Sequence, residues 1–112
     1  VPDVTADEMA QVLDGELSPR CDYQLVDVRN IGEHHKHAVI EAINVPLQHR
    51  NIAKLDMTKR TYAYCAEGYR SVVFLSAALI AGLPAEKARN IRGGFKALGE
   101  CEAMQSHLHV SM

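Results

Sequence analysis

The stretch "TYAYCAEGYRSVVFLSAALIAG", residues 61–82, decides how this chain is read. Its opening, "TYAYC" (61–65), is rich in residues that suit a pleated surface and predicts a strand. From Arg70 to Ala81 the text is apolar on almost every side, which predicts a deeply buried helix. Gly82 stands where a helix C′ residue belongs, with Pro84 beyond it. Only Ala66, Glu67, Gly68 and Tyr69 separate strand from helix. Such a tight strand-to-helix turn belongs to an α/β sheet, and ligands gather outside the carboxyl ends of such strands.

The flanking sequence agrees. "YQLVDV" (23–28) predicts a second strand, apolar enough for a parallel sheet covered on both faces. Thr5 and Glu8 stand at capping-box spacing ahead of Met9, Val12 and Leu13, so a helix is expected over 6–13, ending near Gly15. Asn30 and Glu33 repeat that spacing and predict a helix over 31–36. "AINV" (42–45) reads as a short strand closed by Pro46, 47–54 as a helix, and "ARNI" (88–91) as a last strand. "GGFKALGE" (93–100) reads as a turn into a closing helix. Alternating strands and helices with short links give an α/β fold around a parallel sheet. Residues 1–112 read as one domain, with 1–4 and 103–112 as flexible ends.

Composition narrows the function classes. A chain of 112 residues buries enough surface to fold without disulfides. A net charge of −2 offers no footprint for nucleic acid or an anionic membrane. No apolar run approaches the roughly 20 residues that span a bilayer. The start, "VPDVTADEM", has neither a basic nor an apolar signal region, and the absent initiator Met fits a trimmed chain or a domain fused to another. Three cysteines, at 21, 65 and 101 and without a CxxC pair, argue against a disulfide framework and a structural zinc. No metal or other cofactor is implied, and reduced thiols point to the cytoplasm.

Two readings of Cys65 compete. A cysteine at a strand end is commonly an inert, buried apolar residue. Against that, Gly68 frees the loop backbone to turn successive N–H groups inward as an anion-binding nest, backed by the helix N-terminus. A sulfur at the centre of such a bowl ionises more readily, and the thiolate is the nucleophile. Arg70, at the rim, is placed to hold an anion.

"CAEGYRS" (65–71) resembles the active-site loop of rhodanese-like domains, in which cysteine opens a six-residue loop that closes at arginine ahead of a helix. "LVDVRNIGE" (25–33), "AINVPL" (42–47) and "IRGGFKAL" (91–98) resemble further family segments, in the family's order. The resemblance implies a central five-stranded parallel sheet with helices on both faces. It also implies a sulfurtransferase. On that resemblance, Cys65 is expected to take a sulfane sulfur from a small anion such as thiosulfate, or from a protein persulfide, and to pass it to cyanide or a thiol acceptor. Carried over residue by residue, Ala66, Glu67, Gly68, Tyr69 and Arg70 present backbone N–H groups to the terminal sulfur, with Ser71 next to them. Cell-cycle dual-specificity phosphatases share the fold, but their Cys…Arg loop is one residue longer, to wrap a phosphate. A third reading is a non-catalytic, regulatory module of a larger protein with Cys65 idle.

Several positions depart from the family pattern or carry two readings. "HAVIEA" (37–42) lacks the Gly and Pro residues usual before the second strand, so a different backbone course is expected there. Glu67 repels a dianionic donor if it faces the site, or else points to solvent or pairs with Arg70. In the family the aspartate of Asp27 ties down backbone near the loop and the arginine of Arg29 lies beside the pocket; a structural ion pair serves equally. Tyr69 either contacts substrate or packs. His34, His35 and His37 read as a solvated cluster more readily than as metal ligands. Cys21 and Cys101 read as structural, with a resolving thiol as the alternative for Cys101.

Overall fold

The computed structural model describes residues 1–15, 22–49 and 51–110. Cys21, read above as structural, lies outside them. The elements run β1 (Asp3–Val4), α1 (Ala6–Leu13), β2 (Tyr23–Asp27), α2 (Ile31–Lys36), β3 (His37–Val39), β4 (Ile43–Asn44), β5 (Arg60–Tyr64), α3 (Tyr69–Ala81), β6 (Ala88–Ile91), α4 (Gly94–Glu100) and β7 (Leu108–Val110). Five strands form one sheet in the order β1-β6-β5-β2-β4, every pair parallel; the parallel sheet agrees with the alternating elements and the count of five with the family resemblance. The strand that ends at the candidate loop, β5, is the middle one.

Side chains alternate across the sheet with the period of two that a strand imposes. Leu25, Tyr62, Tyr64 and Ile91 pack with Met9, Leu13 and Leu98 of α1 and α4 on one face. Val26, Ala63, Cys65 and Ala88 pack with Phe74, Leu75 and Ala78 of α3 on the other. Local signals set the helix starts. Thr5 and Glu8 exchange both capping-box bonds at 3.1 Å, and Asn30 with Glu33 does the same ahead of α2.

Three expectations are corrected and one, for the 37–42 segment, holds. The helix α3 is not buried all round: Phe74, Leu75 and Ala78 face the core, whereas Val73 is 50% and Ile80 90% exposed. Exposed apolar residues on its outer face give it the same all-round apolar pattern as a fully buried helix. The helix expected over 47–54 is two separate 3-10 turns, Leu47–His49 and Ile52–Lys54. The 37–42 segment does take another course, with β3 as an unforeseen strand. Among the described residues, the ends read as flexible, 1–4 and 103–112, carry regular structure up to Val110. β1 pairs with β6, and β7 pairs antiparallel with β3 after a 3-10 helix at Glu102–His107. Both terminal pairings join residues far apart in sequence, which local patterning cannot register.

His107 anchors the second pairing. Its ring nitrogens meet Asp14 Oδ1 and Glu41 Oε2, each at 2.7 Å, tying the end of α1 and the turn after β3 to the approach of β7. Burial pulls its pKa down, but the two carboxylates outweigh that and hold it above the ordinary value.

Candidate active site

The site begins where β5 ends. Cys65 is 2% exposed and sits on the α3 face of the sheet. Gly68 then takes φ +109°, a left-handed conformation that glycine adopts without strain, and serves as N-cap of α3. That turn aims the Gly68 N–H back at Cys65 Sγ, at 2.9 Å. Backbone amides of Glu67 and Ser71 add to the donors around the sulfur.

Ser71 completes the immediate surroundings. Its hydroxyl lies 3.6 Å from Sγ and 2.6 Å from Asn90 Oδ1 on β6. Asn90 Nδ2 in turn donates to Asp3 Oδ1 at 3.1 Å. Burial is the largest influence on the Cys65 thiol and pushes its pKa up. The Ser71 hydroxyl and the amides of Ser71, Gly68 and Glu67 act the other way and win, so the net shift is downward. The sulfur is thus placed in a ring of donors that favours its anion.

The loop is braced from behind by the double glycine. Gly94 has φ +60°, and a Cβ there would stand 2.5 Å from the Cys65 carbonyl oxygen and 2.7 Å from the Ala66 carbonyl. Only glycine permits that approach. The next amides use it: Phe95 N–H donates to Cys65 O at 2.7 Å and Lys96 N–H to Ala66 O at 3.2 Å.

Arg70 does not pair with Glu67. It forms a two-pronged salt bridge to Glu33, with Nη1 to Oε1 at 2.8 Å and Nη2 to Oε2 at 3.1 Å. Hydrogen bonding from Arg70 is the largest influence on the Glu33 carboxyl and holds its pKa below the usual value. Glu67 points to solvent, and Tyr69 is 79% exposed, so neither packs into the core. Beside Arg70 lies a cleft of about 260 Å³ lined by Val28, Asn30, Leu47, Gln48 and Arg70. Val28 belongs to the same packed cluster as Cys65, and Leu47 packs against it.

Asp27 and Arg29 are not at the loop mouth. The strand alternation sends both to the opposite face, among Tyr64 and Phe95. Asp27 is fully buried and accepts Arg29 Nη2 at 2.8 Å, Tyr64 Oη at 3.1 Å and His34 Nδ1 at 2.7 Å. Arg29 lies over the Phe95 ring at 4.4 Å and also donates to the His37 carbonyl. The structure therefore favours the ion-pair reading of these residues and removes Arg29 from the pocket. It also takes His34 out of a purely solvated cluster, whereas His35 and His37 are exposed. Cys101 lies on the α1/α4 side near Asp7, at 3.3 Å from its Oδ1, and not near Cys65.

Glu33, Asn90 and Gly94 escaped the residue-by-residue assignment. Glu33 had a signal, since it ends the Asp-Val-Arg segment, and its capping role accounted for it too easily. The part of Asn90 depends on strand register, which places it opposite Ala63.

A family model for the rhodanese-like domain matches residues 5–101. Among solved structures, the chain superposes on the rhodanese-like domain of an Anabaena sp. protein with TM-score 0.81 at 18% identity, covering 99% of this chain and 80% of that one. A rhodanese-like domain protein from Staphylococcus aureus gives TM-score 0.76 at 24% identity, with both chains covered completely. A Rhodopseudomonas palustris protein of unknown function, described as a possible tyrosine phosphatase, gives TM-score 0.74 at 20% identity, covering 89% and 80%. No curated protein matches the chain. At these identities the structural likenesses speak for the fold, and the matching family model for kinship: the chain belongs to the rhodanese-like domain family.

Proposed function

We propose that this protein is a sulfurtransferase that carries a sulfane sulfur as a persulfide on Cys65. The observation that carries this reading is the donor ring around Sγ, with Gly68 N–H at 2.9 Å. A persulfide anion has no proton for a base to manage; it needs hydrogen-bond donors, and the loop supplies them. In the first half-reaction the Cys65 thiolate attacks the outer sulfur of the donor. The donor's S–S bond breaks, and its electron pair leaves with sulfite or with a thiolate. In the second half-reaction an acceptor, cyanide or a thiol, attacks the terminal sulfur and Cys65 departs as thiolate, with ping-pong kinetics. The short Cys65-to-Arg70 loop supports sulfur over phosphate. A reducing compartment such as the cytoplasm suits a free thiolate; no helix among the described residues is long and apolar enough to cross a membrane.

Steady-state kinetics test the reading. Thiocyanate formation from a sulfane donor and cyanide should give parallel double-reciprocal lines and vanish in Cys65→Ala. Turnover that survives Cys65→Ala would refute it. Phosphate release from an aryl phosphate would favour the phosphatase reading instead.

A further inference from the structure

The loop contains one cation, Arg70, and its guanidinium is already committed. Both prongs engage the Glu33 carboxylate, at 2.8 and 3.1 Å. Mutual hydrogen bonding keeps both partners ionised: the Glu33 pKa is lowered and the Arg70 pKa raised. Glu67, on the same loop, adds a second carboxylate in solvent. A dianion approaching Cys65 therefore meets one neutralised cation, a further carboxylate and the thiolate itself. Releasing Arg70 to receive it means breaking a two-pronged charge-assisted pair.

Apart from Arg70 itself, the residues that line the adjacent cleft are uncharged. Val28 and Leu47 give it apolar walls, while Asn30 and Gln48 add uncharged amides. Its volume of about 260 Å³ is far more than a sulfite group requires, and suits an organic tail that offers hydrogen bonds.

Given the sulfurtransferase reading, we infer that Glu33 determines donor choice: by occupying Arg70 it disfavours the thiosulfate dianion, and the Val28–Leu47 cleft seats the uncharged tail of an organic persulfide, which carries one negative charge at most. The Cys65 thiolate attacks the outer sulfur of R–S–SH; that S–S bond breaks, Cys65 becomes Cys–S–SH, and R–S⁻ leaves into the cleft with the electron pair. Charge is conserved, and no external oxidant or reductant is needed.

The test compares how fast two donors load Cys65, followed by intact mass: thiosulfate and the hydropersulfide of N-acetylcysteine amide. The wild type should load from the organic persulfide about tenfold faster or more. Glu33→Gln, which preserves a capping-box side chain for α2, should shift the donor ratio toward thiosulfate by about tenfold, chiefly through KM. Glu67→Gln, at an exposed position that leaves folding intact, should shift it the same way by less. A short uncharged peptide bearing a cysteine persulfide separates carriers: faster loading than from the free amide points to a protein-borne donor, slower loading to a small molecule. Equal donor rates in the wild type, or a ratio unmoved by Glu33→Gln, would overturn the inference while leaving the sulfurtransferase reading intact. Loading by neither donor would overturn both.

Discussion

Ser71 has one hydroxyl proton and two places to put it. Directed at Asn90 Oδ1, 2.6 Å away, it leaves the oxygen as an acceptor for the Cys65 thiol. Turned toward Sγ, 3.6 Å away, it stabilises the thiolate. The two neighbours therefore have opposite effects. Ser71→Ala should raise the Cys65 pKa, and Asn90→Leu, by freeing the hydroxyl proton for sulfur, should lower it. Thiolate ultraviolet absorbance against pH, with Cys65→Ala as the blank, reads both shifts. The thiolate accumulates as pH rises through the pKa, so at neutral pH Asn90→Leu should carry more thiolate than wild type and Ser71→Ala less. Shifts of the same sign would contradict the shared-proton arrangement. Gly94 makes a steric prediction. Alanine there meets the Cys65 and Ala66 carbonyls at 2.5–2.7 Å on a left-handed backbone. Gly94→Ala should cost about 1–3 kcal/mol in urea unfolding and displace the loop. A variant as stable as wild type would show that the loop has slack there.

At the scale of elements, α3 illustrates what periodicity can and cannot say. Its existence and limits were legible, because Gly68 and Gly82 bracket a largely apolar run. Its depth was not, since an apolar residue on the outer face resembles one in the core. Ile80→Ser, at a position 90% exposed, should change stability by less than about 0.5 kcal/mol, whereas Phe74→Ala, fully buried, should cost about 3–5 kcal/mol. Chemical denaturation of the two variants checks the contrast. The β3–β7 pairing was illegible for a different reason. Its clamp joins His107 to Asp14, 93 positions away. Because the folded-state pKa of His107 is raised, its stabilisation is fully present below the ordinary value of 6.5 and is lost as pH rises through the folded value. His107→Gln should accordingly lower the urea midpoint more at about pH 6 than at about pH 9. An equal loss at both would mean that the ring's charge contributes nothing to the clamp.

For the molecule as a whole, the sheet works as a partition. The Asp27–Arg29–His34–Tyr64 network occupies the α1/α4 face and secures the sheet, while Cys65, Ser71 and α3 occupy the other. Sequence segments with a local cause were readable: capping boxes at Thr5 and Asn30, the glycine turn at 68, the double glycine before α4. That Asp27 and Arg29 lie on the face opposite Cys65 needed the β2–β5 register, which pairs Asp27 with Tyr64 and which neighbouring residues in sequence do not reveal. On the proposed function, the amide ring at Cys65 holds a persulfide. Intact-mass spectrometry after incubation with a sulfane donor tests it most directly. Wild type should gain the mass of one sulfur atom, lost on adding cyanide, while Cys65→Ala gains none; no gain by wild type with thiosulfate or with an organic persulfide, or an equal gain by Cys65→Ala, would refute a persulfide at Cys65.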